Sequence, residues 1–139
     1  MEDYTLFLIK PDSTVKNHIG AILKIIEEHG FVIKEMKMFR MDRKFADRFY
    51  EIHKGKDFYD NLIKFMTSGR TVATVLYRKN AINELRKVIG KTDYHETKPE
   101  TIRRIYGETI TRNAVHASDS PENAKEEILK VFPYFKFKE

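Results

Sequence analysis

The sequence predicts an α+β fold, a four-stranded sheet with amphipathic helices packed on one face. Two observations carry this. Four short runs rich in β-formers are separated by stretches whose apolar residues recur at helical spacing. Proline, glycine, asparagine and aspartate fall at the boundaries, where strands and helices stop. The pattern alone leaves the order of the strands open.

Residues 4–10 (YTLFLIK) are dense in β-formers and read as a buried strand, ended by Pro11. Ile19, Ile22, Leu23 and Ile26 then fall at i, i+3, i+4 and i+7, so the next element is an amphipathic helix that ends at Gly30. Residues 31–41 read as a second strand, with Met36 and Met38 alternating against Glu35 and Lys37. Asp42 can cap a helix in which Phe45, Phe49 and Ile52 form one stripe. Tyr59, Leu62, Ile63 and Met66 place another helix, which Ser68-Gly69 ends. Residues 71–77 (TVATVLY) are the third strand. A helix over 80–89 follows, buried through Ile82, Leu85 and Ile89, and a polar loop spans 90–101. Residues 113–116 are the fourth strand and 121–132 the last helix, with Ser120 as N-cap and Pro121 at the first helical position. No repeat, low-complexity segment or linker interrupts the chain, so residues 1–139 are expected to form one domain.

The 139 residues, 41% hydrophobic, suit a globular domain that buries roughly two-thirds of its unfolded surface. The formal net charge of +5 admits nucleic acid, an acidic membrane surface or small polyphosphates as partners. Its lysines and arginines are scattered among acidic residues rather than gathered in a tail. The absence of cysteine excludes disulfides and thiolate chemistry. No apolar run approaches the ~20 residues of a membrane span, and the acidic start leads straight into a strand. A cytoplasmic location is expected.

Chemistry concentrates in residues 112–127. His116 lies just upstream of a helix start, near free backbone N–H groups where phosphate can dock. Glu127 falls two turns after the cap, on a side from which its carboxylate could hydrogen-bond one ring nitrogen. The tautomer would then be fixed and the other nitrogen left as a nucleophile. Gly90-Lys91-Thr92 is not a phosphate-binding Walker loop, because that pattern needs glycine where this chain has Leu85. No dinucleotide glycine fingerprint, zinc-ligand spacing or nucleophile elbow occurs.

Asn113-Ala114-Val115-His116-Ala117-Ser118-Asp119-Ser120 resembles the active-site signature of the nucleoside diphosphate kinases, and Ile9-Lys10-Pro11-Asp12 resembles that family's first-strand motif. The similarity runs from about residue 5 to about residue 128. It implies a ferredoxin-like β-α-β-β-α-β core with a four-stranded antiparallel sheet, covering helices and an added helical hairpin over 42–66. It also implies that His116 takes the γ-phosphoryl group of a nucleoside triphosphate, mainly ATP, and passes it to a diphosphate by a ping-pong route. Glu127 would orient the ring and Ser118 would support Glu127. Lys10 and Tyr50 would flank the transferring group. Arg86, Thr92 and Arg103 would hold phosphate oxygens, and His53 would touch phosphate. Asn113, with Lys10, would contact the ribose hydroxyls, and Phe58 would stack on the base with little regard to its identity. Mg2+ is the implied cofactor, held mainly through nucleotide phosphates. A homo-oligomer, hexamer or tetramer, is the implied assembly. The set makes chemical sense, since phosphoryl transfer is catalysed largely by positioning and positive charge.

The chain departs from the family pattern at several points. Ala117 replaces a glycine after the histidine, Asp57 and Arg70 stand where prolines are usual, and Tyr94 replaces another proline. Arg104 and Ile105 stand where a small residue and an aspartate are usual. The alternative reading is a basic α+β module that binds single-stranded nucleic acid without catalysis. The basic–Gly–aromatic signature of RNA-recognition sheets is absent from the sequence.

Overall fold

The computed structural model describes residues 3–93 and 96–137. In chain order the elements are β1 (Tyr4–Ile9), α1 (Pro11–Thr14), α2 (Ile19–Glu28), β2 (Val32–Arg40), α3 (Arg43–Phe49), a 3-10 turn (Glu51–His53) and α4 (Tyr59–Met66). Then come β3 (Arg70–Tyr77), α5 (Ala81–Ile89), α6 (Ile102–Tyr106), β4 (Val115–Ala117) and α7 (Pro121–Val131). The sheet order is β2-β3-β1-β4, and all three pairings are antiparallel. With α2 and α5 as the crossover helices this is the expected ferredoxin-like core, and α3 with α4 is the added hairpin.

β1 lies between β3 and β4, and every one of its residues is buried. Alternate side chains enter different cores. Leu6 and Leu8 pack in a cluster with residues of α3, α4 and α7. Phe7 and Ile9 pack in a second cluster with residues of α2, α5 and α6. Helices therefore cover both faces of the sheet, which corrects the expectation of one covered face. The unbroken apolar run of β1 is the sign of this, since a half-exposed strand would alternate.

Local sequence explains most boundaries. Asp42 caps α3 by accepting from the Phe45 N–H at 2.7 Å, and Ser120 caps α7 by accepting from Asn123 N–H at 3.1 Å. Gly30 ends the α2 segment with φ +84°, a left-handed conformation natural to glycine. Three expectations differ. The stripe Phe45, Phe49, Ile52 breaks after Phe49, because the chain tightens into the 3-10 turn and Ile52 is 62% exposed. Met36 and Met38 stay more than half exposed on β2, which is an edge strand whose pairing shifts between Ile33 and Glu35. Two short helices, α1 and α6, form where the sequence pattern places no helix. Pro11 opens the first, and Thr101 caps the second.

The unusual residues sit mostly at the periphery. Asp57, Arg104 and Ile105 are exposed. Arg70 opens β3, and its carbonyl accepts from Thr14 Oγ1 at 2.7 Å. Ala117 pairs with Phe7 in the sheet. Tyr94 lies outside the described residues.

Candidate active site

A cleft of about 400 Å³ opens where β1 ends and β4 begins, between the helical hairpin and the segment leading into β4. Lys10, Tyr50, His53, Phe58, Thr92, Arg103, Asn113 and His116 line it, together with Leu62, Ile110 and Thr111. Eight of the eleven expected site residues thus share one cavity wall. They come from five separate parts of the chain.

His116 is brought there by β4, paired opposite Leu8 of β1. Its Nε2 lies 3.0 Å from Glu127 Oε1, and the same oxygen accepts from Ser118 Oγ at 2.8 Å. α7 starts at its Ser120 cap and so carries Glu127 back alongside β4. A carboxylate can only accept here, so Nε2 carries the hydrogen and Nδ1 carries the lone pair. Among the described residues Nδ1 has no hydrogen-bond partner. Burial raises the Glu127 carboxyl, but the charge of His116 and the hydrogen bonds from His116 and Ser118 outweigh it and hold the group below its ordinary range. Ser118 is itself fixed, its Oγ accepting from Leu6 N–H at 3.3 Å.

Lys10 follows the last residue of β1 and is 6% exposed. Its Nζ donates to Asn113 Oδ1 at 2.9 Å, while Asn113 Nδ2 donates to the carbonyls of Ile110 at 2.8 Å and Thr92 at 3.3 Å. The asparagine amide is therefore locked. Burial, reinforced by the charge of Arg103, pulls Lys10 down to about 7, against the opposing pull of Asp12. Arg103, on α6, donates to the Gly90 carbonyl at 3.2 Å and to the Val115 carbonyl at 3.0 Å, and its buried Nε has no partner among the described residues. Burial and then Arg86 lower it to about 10.

Tyr50 presents a buried hydroxyl that has no hydrogen-bond partner among the described residues. Burial and the Glu127 charge push its ionisation above the ordinary tyrosine range, so at neutral pH it is a hydrogen-bond donor in want of an acceptor. Burial and then the charge of Lys56 lower the pKa of His53, and Lys56 Nζ is 3.1 Å from its Nδ1. Phe58 stands at the rim, 46% exposed, with its ring centroid 5.4 Å from that of His53.

Ser118 and Glu127 stand behind His116 rather than on the cavity wall. Arg86 is the one expected phosphate ligand outside the cleft. It opens on a neighbouring cavity of about 460 Å³ with Lys87, Gly90, Lys91 and Thr101. Asp12 stands in the first-strand motif, but the sequence assigns it no role of its own. Ile110 and Thr111 carry no sequence signal beyond their closeness to Asn113. Among the described residues, no group of three or more His, Asp or Glu side chains is placed to hold a metal ion. Arg103 gives the wall positive charge, the Lys10 amine lines the same space, and the Tyr50 hydroxyl is left without an acceptor among the described residues. Such a wall is chemically suited to an anion beside the His116 ring.

Comparison with known proteins agrees. The family model described as nucleoside diphosphate kinase matches residues 3–137. The nucleoside diphosphate kinase of Methanocaldococcus jannaschii is 46% identical over 132 residues, which is 95% of this chain and 94% of that protein. That of Staphylothermus marinus is 47% identical over 128 residues, covering 92% and 91%. The crystal structure of the Aquifex aeolicus nucleoside diphosphate kinase superposes with a TM-score of 0.90 at 43% identity, covering 94% of each chain. A halophilic nucleoside diphosphate kinase from Halobacterium salinarum, in complex with CDP, also gives 0.90, at 32% identity and coverage of 95% and 88%.

Proposed function

The chain belongs to the nucleoside diphosphate kinase family, and from that premise we propose that it transfers the γ-phosphoryl group between nucleotides through a phosphohistidine on His116 Nδ1. The observation that carries the assignment is the His116 Nε2–Glu127 Oε1 contact of 3.0 Å in a cleft walled by Lys10 and Arg103. It leaves one basic nitrogen facing a site for phosphate.

The transfer runs in two displacements. The Nδ1 lone pair attacks the γ-phosphorus of a nucleoside triphosphate, mainly ATP. As the N–P bond forms, the bond from phosphorus to the bridging oxygen breaks, and the diphosphate leaves with that electron pair. The ring becomes cationic, and the Glu127 carboxylate on Nε2–H balances this charge. A terminal oxygen of a second diphosphate then attacks the same phosphorus, the N–P bond breaks, and the neutral imidazole returns. The charge on the transferring oxygens is met by Lys10, Arg103 and the Tyr50 hydroxyl. Thr92 and, from the neighbouring cavity, Arg86 add donors for phosphate oxygens, and His53 lines the same cleft as Thr92. Asn113 and Lys10 face the ribose, and Phe58 offers a stacking face indifferent to base identity. Mg2+ enters as part of the nucleotide complex, held by phosphate oxygens. A homo-oligomer, with β2 as the edge strand next to β3 carrying exposed Met36 and Met38, and a cytoplasmic setting complete the proposal. Membership of the kinase family disfavours the non-catalytic nucleic-acid reading.

The test is to mix the protein with γ-labelled ATP and Mg2+ without an acceptor. Label should stay on the protein, be labile to acid and stable to base, and leave when a diphosphate is added. A His116→Ala variant that still takes up label would refute the assignment.

A further inference from the structure

We propose that Asp12 is a positioning residue for this transfer. Its carboxylate clamps the backbone of residue 114 in a left-handed turn, and that turn aims Asn113 and His116 into the cleft. The inference rests on the phosphohistidine reading above.

Ala114 is fully buried and has φ +75°. An alanine held there costs about 1–2 kcal/mol relative to its ordinary conformations, so neighbouring contacts must hold it. Three do. The Val115 N–H donates across residue 114 to the Asn113 carbonyl at 2.9 Å, closing a tight three-residue turn. The Ala114 N–H donates to Asp12 Oδ2 at 3.0 Å, and its carbonyl accepts from the Lys10 N–H at 2.8 Å. The last two partners belong to the Lys10-Pro11-Asp12 run. The first-strand motif and the histidine motif are thereby stapled together around one strained residue.

The turn has consequences on both sides. Before it, Asn113 projects its amide to Lys10 Nζ. After it, Val115 and His116 enter β4 in register with Ile9 and Leu8. If Ala114 relaxed to negative φ, the Lys10 amide would lose its acceptor and both flanking side chains would swing.

Asp12 itself is 2% exposed, and its Oδ1 is buried without a direct hydrogen bond. Burial raises its pKa, and the Ala114 N–H, Lys10 and the amides opening α1 oppose that rise. A solvated surface role would need none of this enclosure. Fold stability alone would not need the clamp to close on the residue two before the nucleophile.

The test uses the full chain as Asp12→Ala, Asp12→Asn and Asp12→Ala/Ala114→Gly. The readout is the single-turnover rate of phosphohistidine formation at saturating ATP and Mg2+, per folded molecule by circular dichroism. Asp12→Ala should slow the step by about 30- to 100-fold, the scale of an ångström-sized misplacement. Asp12→Asn keeps an acceptor oxygen and should lose clearly less. Glycine at 114 takes positive φ freely, so the double variant should regain about tenfold over Asp12→Ala. If Asp12→Ala does not fold, Asp12→Asn against Asp12→Asn/Ala114→Gly gives the same comparison. Wild-type rate in Asp12→Ala, or no recovery when glycine is added, overturns the proposal. Failure of the wild-type chain to form phosphohistidine at all would instead overturn the reading on which it rests.

Discussion

Lys10 gives the sharpest prediction, because its burial sets both the sign and the size of the effect. Its amine is drawn from 10.5 down to about 7 by burial and then by Arg103. The folded protein therefore resists the proton that the unfolded chain keeps. Between about pH 7 and 10.5 the unfolded state binds more protons, so stability rises with pH, at up to about 1.4 kcal/mol per unit. From pH 7.5 to 9.5 the gain should be about 2.5 kcal/mol. The window stops short of tyrosine ionisation. There the raised pKa of Tyr50 acts the other way, since a buried phenol resists losing its proton. The perturbation is Lys10→Met, which keeps the stem and removes the charge. The assay is urea unfolding of nucleotide-free protein at several pH values and one fixed protein concentration, extrapolated to water. The wild type should gain about 2.5 kcal/mol more than the variant across that window. Equal slopes would show that the amine is not held in the environment described. Nucleotide binding provides a second reading of the same group. A phosphate beside Lys10 restores its proton, so at pH 8 binding should take up close to one proton. Calorimetry in buffers of different ionisation enthalpy would measure this, and Lys10→Met should abolish it.

Three further outcomes follow from the site. Glu127→Ala removes a charged hydrogen-bond partner worth about 1.5–3 kcal/mol and should slow phosphohistidine formation by about 10- to 150-fold, with nucleotide affinity little changed. An unaltered rate would mean that Glu127 does not set the ring. Phe58→Ala should raise KM for purine and pyrimidine nucleotides alike, by about 1–3 kcal/mol of stacking. A rise confined to one base would contradict a sequence-blind platform. Gly90 has φ +87°, and a Cβ there would meet the Thr101 side chain at 2.6 Å. Gly90→Ala should therefore cost about 1–3 kcal/mol in denaturant unfolding. It should also weaken activity by moving the carbonyl that holds Arg103. A variant as stable as wild type would show that this loop relaxes freely.

Much of the fold was legible because its signals are local. The apolar density of β1, the caps at Asp42 and Ser120 and the stop at Gly30 each announce themselves within a few residues. The two short helices were hidden because four or five residues cannot display a helical period. The second buried face was hidden because pattern reports that β1 is buried, and not by what. Ile52 misled because its spacing continues a stripe that the 3-10 turn cuts. For the site, His116 and Glu127 could be paired by reasoning along α7. Lys10, Arg103 and Asn113 could be joined only by resemblance, since Lys10 reaches Asn113 across 103 positions of chain and Arg103 reaches Gly90 and Val115 across 13 and 12. Asp12 is part of the first-strand motif but shows no role there, because its partner is a backbone amide, and backbone partners are invisible in side-chain identity.

The centre strand shapes how this protein fails. β1 is gripped from both sides by the sheet and on both surfaces by separate cores, and it delivers Lys10 at its end and receives His116 opposite Leu8. Catalytic spacing is thereby slaved to completion of the whole molecule. Heat or denaturant should shrink the count of working molecules long before it alters the speed of those that remain, and residual turnover becomes a direct census of intact ones.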